Sequence, residues 1–135
     1  MSYDYVIDSY AWIEYFTGSH KGEAAKEYVE NKSSATPTIV IAELSRKLLN
    51  EISLGRETAQ GRSARLGFLR SSTVIIELTE DIATLAGEID VERKQKVRRW
   101  GLADSIILAT ARVSNAKVVT GDNHFGDLKE VVFLS

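Results

Sequence analysis

The sequence predicts an α/β layer fold with a mainly parallel central sheet. Short apolar, β-branched runs recur at residues 4–8, 72–78, 117–122 and 130–135, the composition favoured in strands. Longer stretches between them carry apolar residues at helical spacing. Strands alternating with helices feed a parallel sheet through crossover connections. In order, "YVI" forms a first strand, and Ser9 is expected to cap a short helix that stops at Gly18. "HKGEAAKEYVENK" reads as a charged helix with Ala24, Ala25, Tyr28 and Val29 on its inner face. The only proline, Pro37, ends a strand just before Thr38 opens a helix running to Gly55. "ETAQGRSARLGFLRSS" is a further helix, weakened by Gly61 and Gly67. After "STVIIEL", Thr79 opens a helix extending to Val97 with Ile82, Leu85, Ala86, Ile89 and Val97 on one face. "LADSIILATARVSN" is the last helix, followed by the strands "KVVTGD" and "EVVFLS".

With 135 residues and no repeat, low-complexity tract or linker, the chain (1–135) is expected to be one domain. Apolar content of 44% and charged content of 27% are those of an ordinary globular protein. A net charge of −2 argues against nucleic-acid binding through bulk charge, but leaves room for a local basic patch. The absence of cysteine excludes disulfides, thiolate zinc sites and a cysteine nucleophile. The opening "MSYDYVID" lacks a basic, cleavable leader, and no apolar run approaches the ~18 residues of a membrane span. A cytoplasmic location away from the membrane is therefore expected.

Most acids lie on solvated faces, but four have apolar neighbours: Asp8 after "YVI", Glu43 within "IVIAEL", Asp104 within "LADSIIL" and Asp122 after "VVTG". Each has a local reading. Asp8 and Asp104 (or Ser105) suit helix caps, Asp122 with Asn123 suits a turn, and Glu43 suits a half-exposed helix position. In a parallel α/β fold, however, strand ends and the first turns of flanking helices converge on one crevice. Carboxylates gathered there repel strongly unless they keep protons or share a multivalent cation. All-oxygen ligands favour Mg²⁺ or Mn²⁺ over zinc. Ser9 and Thr120 stand beside two of the acids as candidate supporting hydroxyls.

"VIDSYAWIEYF", "TIVIAEL", "GLADSIILATA" and "KVVTGDNHF" resemble, in order and spacing, the signature segments of PIN domains, and most of all those of VapC-like toxin ribonucleases. The resemblance spans nearly the whole chain. It implies a three-layer α/β/α sandwich and an endoribonuclease that uses Mg²⁺ or Mn²⁺ to activate water against an RNA phosphodiester. On the matching positions it implies Asp8, Glu43, Asp104 and Asp122 as catalytic and metal-binding acids, Thr120 as the accompanying hydroxyl, and Asp127 as a weak extra acid. It further implies a homodimer and, for toxin members, a VapB-like antitoxin protein over the acidic cleft.

RNA would need cations near such a site. Arg93, Lys94, Lys96, Arg98 and Arg99, just before the helix bearing Asp104, form one candidate rim; Arg46 and Lys47, a turn beyond Glu43, form a second. Trp100 is read as packing, with stacking on a base as the alternative; His124 as a loop histidine, with a phosphate contact or proton shuttle as the alternative; and Trp12, Tyr15 and Phe16 as core with some capacity for a partner surface. A receiver-type signalling module would want an acidic pair after the first strand and a lysine after the last inner one; neither is present. An aspartyl phosphatase would want a second acid where Tyr10 stands. Housekeeping RNA processing and a PIN-like domain that binds without cutting remain as alternatives within the resemblance.

Overall fold

Five strands, β1 (Tyr5–Ile7), β2 (Ser34–Pro37), β3 (Val74–Ile76), β4 (Lys117–Thr120) and β5 (Val131–Phe133), form one sheet in the order β3-β2-β1-β4-β5. Every neighbouring pair is parallel, so the expected mainly parallel sheet is wholly parallel. The computed structural model describes residues 2–135. Six helices complete a three-layer α/β/α sandwich: α1 (Ser9–Thr17), α2 (His20–Val29), α3 (Thr38–Ser53), α4 (Ala59–Ser72), α5 (Glu80–Lys94) and α6 (Leu102–Val113). A 3-10 turn at Asn123–Phe125 lies between β4 and β5. Among the described residues, no helix is long and apolar enough to cross a membrane.

The central strands are apolar because both faces are covered: Val6, Ile7, Val118 and Val119 are fully buried. β2 carries buried hydroxyls instead, and they are satisfied. Thr36 accepts from the Trp12 indole at 3.2 Å and shares a 2.7 Å hydrogen bond with Thr73. Pro37, with no N–H to donate, occupies the last position of β2 and serves as the N-cap of α3.

Chain order moves outward from β1 through β2 to β3, then returns across the sheet to β4 on the other side of β1. The reversal falls between β1 and β4. Crevices form beyond the carboxyl ends of strands at such a switch point, and the residues leaving β1 and β4 there are Asp8 and the Gly121–Asp122 pair.

Three local details differ from expectation. Asp8, rather than Ser9, caps α1, and Gly18 ends that helix at φ +71°. On α2, Ala24 is exposed while Gly22 is buried, because a Cβ at Gly22 would overlap the Glu14 carbonyl where α1 and α2 cross. α5 stops at Lys94, so Val97 packs from the following loop. Trp12 is fully buried, whereas Tyr15 and Phe16 are half-buried and share an aromatic cluster with partly exposed Phe68.

Candidate functional site

Asp8 sits where β1 gives way to α1, with its backbone N–H bonded to the Val119 carbonyl of β4 at 3.1 Å. Its Oδ1 accepts the Ser9 N–H at 2.8 Å, and its Oδ2 accepts the Thr120 hydroxyl at 2.7 Å. Thr120 in turn accepts the Asp122 N–H at 3.0 Å. One hydroxyl thus fastens the carboxyl ends of the two switch-point strands together. Asp8 is only 3% exposed and, among the described residues, has no cationic partner. Burial pushes its carboxyl up to about 7; the negative charges of Glu43 and Asp104 add to the rise, and the Thr120 and Ser9 hydrogen bonds oppose it.

Glu43 approaches from the second turn of α3. Burial raises its pKa first, with Asp104 and Asp122 adding to the shift and Ser9 and Arg46 opposing it. Its Oε1 is buried without a hydrogen-bond partner, the kind of orphaned acceptor that native interiors avoid. A shallow cleft beside it is lined by Ile39, Ala42, Glu43, Arg46 and Ala103.

Asp104 lies in the first turn of α6, where its Oδ2 accepts the Gly101 N–H at 3.0 Å. Asp122 follows β4, and its Oδ1 accepts the His124 N–H at 2.9 Å, which winds the 3-10 turn. That turn carries the His124 ring to the acids: Nδ1 lies 3.2 Å from Asp104 Oδ2 and 3.8 Å from Asp122 Oδ1. Donor atoms of Asp104, Asp122 and His124 all fall within 4.8 Å of one another. Gly121, between Thr120 and Asp122, leaves room for the Tyr10 ring of α1, which a Cβ there would overlap.

The four acids singled out in the sequence therefore converge. Asp104 and Asp122 form the tightest group, and Asp8 and Glu43 lie close enough for their charges to be felt. His124, expected as a loop histidine with a phosphate contact or proton shuttle as the alternative, has its ring at the acids. A histidine two residues after a strand-end acid was the available signal, and only the three-residue turn turns its ring inward.

Two expected site residues lie elsewhere. Arg93 is no rim residue: it is 2% exposed, forks onto both oxygens of Asp127 at 2.8 and 2.9 Å, and stacks over the Trp100 ring. Asp127 is correspondingly committed to Arg93 and stands outside the acidic group, its carboxyl drawn down to about 2 by that hydrogen-bonded cation. Lys94 pairs with Asp90 and Lys47 with Glu51, both one helical turn away. Arg46, Lys96, Arg98 and Arg99 are exposed. Trp100 is buried as expected; its indole donates to Ser105 at 2.7 Å, and Ser105 donates to Asp90 rather than capping α6.

This donor set fits a hard divalent cation. It offers several carboxylate oxygens, one of them buried and unpartnered, on backbone held by the sheet.

Residues 5–131 match the profile of the PIN domain family. In fold, the chain is similar to one from a toxin–antitoxin complex of Klebsiella pneumoniae, at 22% identity and TM-score 0.72, covering 98% of each chain. It is also similar to DNA-bound VapBC of Salmonella typhimurium, at 18% identity and TM-score 0.76, covering 98% of this chain and 99% of that one. A third likeness is to Mycobacterium tuberculosis VapC20, a sarcin-ricin loop cleaving toxin, at 18% identity and TM-score 0.68, covering 95% of this chain and 98% of that one. No curated protein matches the sequence.

Proposed function

Because the chain belongs to the PIN domain family, we propose that it is a divalent-cation-dependent endoribonuclease of the VapC-like toxin type. The observation that carries this reading is the buried Glu43 Oε1, without a hydrogen-bond partner among the described residues, on a side chain close enough to Asp8, Asp104 and Asp122 for their charges to be felt. A cluster of that kind works against folding unless something positive occupies it.

Asp8, Asp104, Asp122 and Glu43 would hold Mg²⁺ or Mn²⁺, which when bound offsets the carboxylate charge and acts as a Lewis acid toward a phosphodiester. The chain's own groups set the geometry. Ser9 N–H and Thr120 Oγ1 fix both oxygens of Asp8, so that the carboxylate cannot rotate away. The Gly101 N–H fixes one oxygen of Asp104. Glu43 Oε1, free of any internal partner, orients the attacking water and accepts its proton. Water attacks phosphorus as its proton passes to Glu43, the bond to the leaving oxygen breaks, and that oxygen takes a proton from solvent.

Arg46, at the mouth of the cleft beside Glu43, and exposed Lys96, Arg98 and Arg99 before α6 supply phosphate contacts for an RNA strand in the cytoplasm. The likeness to chains of toxin–antitoxin complexes supports an antitoxin partner, VapB-like in type; a homodimeric toxin belongs to the same proposal and rests on the family resemblance alone. An antitoxin arginine inserted among the acids would inhibit by occupying the cation's place.

The test is cleavage of RNA by the purified chain with Mg²⁺, with Mn²⁺ and with EDTA, beside Asp104→Asn. Cleavage by the wild type alone, abolished by EDTA, is the expected result. Cleavage that survives both EDTA and Asp104→Asn contradicts the proposal.

A further inference from the structure

We infer that His124 is a direct nitrogen ligand of the cation, and that this site therefore prefers Mn²⁺ to Mg²⁺. The inference rests on the proposed cation site and deepens it.

Two ligands on adjacent corners of an octahedron with bonds near 2.1 Å stand about 3 Å apart. His124 Nδ1 stands 3.2 Å from Asp104 Oδ2 and 3.8 Å from Asp122 Oδ1, and the three donors share one 4.8 Å neighbourhood. Small adjustments would bring all three onto one face of such an octahedron.

The His124 backbone is tied at both its N–H and its carbonyl. Its N–H donates to Asp122 Oδ1 at 2.9 Å, and its carbonyl accepts from Arg93 at 2.7 Å. Arg93 is itself buried against Trp100, and Trp100 packs on Phe125, the next residue in the turn. A loop histidine with no role in the site would not need a buried guanidinium to hold its carbonyl. Without an ion, Nδ1 is placed to donate its N–H to Asp104 Oδ2 at 3.2 Å; a cation held by the carboxylates would take the place of that proton and receive the Nδ1 lone pair, with the ring proton then on Nε2.

Chemistry then sets the selectivity. Mg²⁺ takes oxygen ligands and dehydrates reluctantly, whereas imidazole suits transition ions. Replacing one oxygen of an otherwise carboxylate site by nitrogen raises affinity for Mn²⁺ more than for Mg²⁺.

The chain has two histidines, and His20 lies exposed at the start of α2, which makes the test specific. Mn²⁺ is bound to the full-length protein and examined by pulsed electron paramagnetic resonance, with natural-abundance and with ¹⁵N-histidine label. A directly coupled nitrogen that changes frequency on labelling is expected. The signal should persist in His20→Gln and vanish in His124→Gln. His124→Gln should also weaken Mn²⁺ binding by ~10-fold or more while changing Mg²⁺ binding by less than about twofold. Bound Mn²⁺ without a histidine coupling overturns the inference, as does failure to bind Mn²⁺. The labelled wild type gives that answer even if the variant folds poorly. Nitrogen coupling in a protein that cuts no RNA would sink the nuclease reading alone; RNA cleavage without nitrogen coupling would sink this inference alone.

Discussion

Asp8 and Arg93 are both charged side chains excluded from water, at 3% and 2% exposure, and the molecule treats them in opposite ways. Arg93 brings its own counterion: Asp127 takes both forks of the guanidinium, and the Trp100 ring covers its face. Asp8 has hydroxyl and amide donors but no cation, and its nearest charged neighbours are other acids. A buried charge whose partner is encoded in the chain is a structural brace. One whose partner is missing from the chain marks a candidate site, and here it is the site proposed for the cation.

The two carboxyls report this contrast with opposite signs. Asp8 is pushed up to about 7 from 3.8, so between those values the folded protein keeps a proton that the unfolded chain has lost. Its contribution to stability is complete below pH 3.8 and is lost as pH rises through about 7. Asp127 is drawn down to about 2, so its contribution is present above pH 3.8 and is lost as pH falls through about 2.

The comparison breaks most visibly at Asp8. Asp8→Asn should lower cation-dependent RNA cleavage by roughly 10³-fold. The same substitution should stabilise the cation-free protein above neutral pH by up to about 4 kcal/mol, the equivalent of the shift at about 1.36 kcal/mol per pH unit. Chemical denaturation in EDTA beside a cleavage assay reads both effects; a variant less stable than wild type under those conditions argues against a costly Asp8 charge. Arg93→Met comes next. It should destabilise by about 3 kcal/mol in denaturant titration, because a buried hydrogen-bonded cation and its cover on Trp100 are lost together. Asp127→Asn should cost less, about 1 kcal/mol, since that carboxylate is half exposed.

Thr120→Val sharpens the contrast at smaller scale. Removing the hydroxyl that joins Asp8 to the Asp122 N–H should cost about 1–2 kcal/mol and raise the Asp8 pKa further, read by denaturation and by carboxyl titration. Lys94→Ala, which breaks an exposed pair with Asp90, should change stability by less than about 0.5 kcal/mol.

Much of this was legible in the sequence. The alternation of strands and helices gave the parallel sheet, and apolar neighbours marked the four acids that converge at its carboxyl edge. What stayed hidden depended on partners distant in sequence or on near-equivalent local choices. Asp and Ser cap helices about equally well, so the backbone turn after Ile7 decided that Asp8 caps α1. "ERKQKVRRW" looks like a solvated helix end because five of its residues are cationic, yet the helical face of α5 turns Arg93 alone into the core. Its counterion lies 34 residues later. His124 reaches the acids only through a three-residue turn that no periodicity announces.

The central claim is that the partner missing from Asp8 is a divalent cation. The direct measurement is the titration of the Asp8 carboxyl carbon by NMR, in EDTA and at saturating Mg²⁺. In EDTA the carboxyl should titrate near 7. With Mg²⁺ it should stay ionised to well below that value, because the ion favours the charged form. An Asp8 titration that Mg²⁺ leaves unmoved would contradict the account.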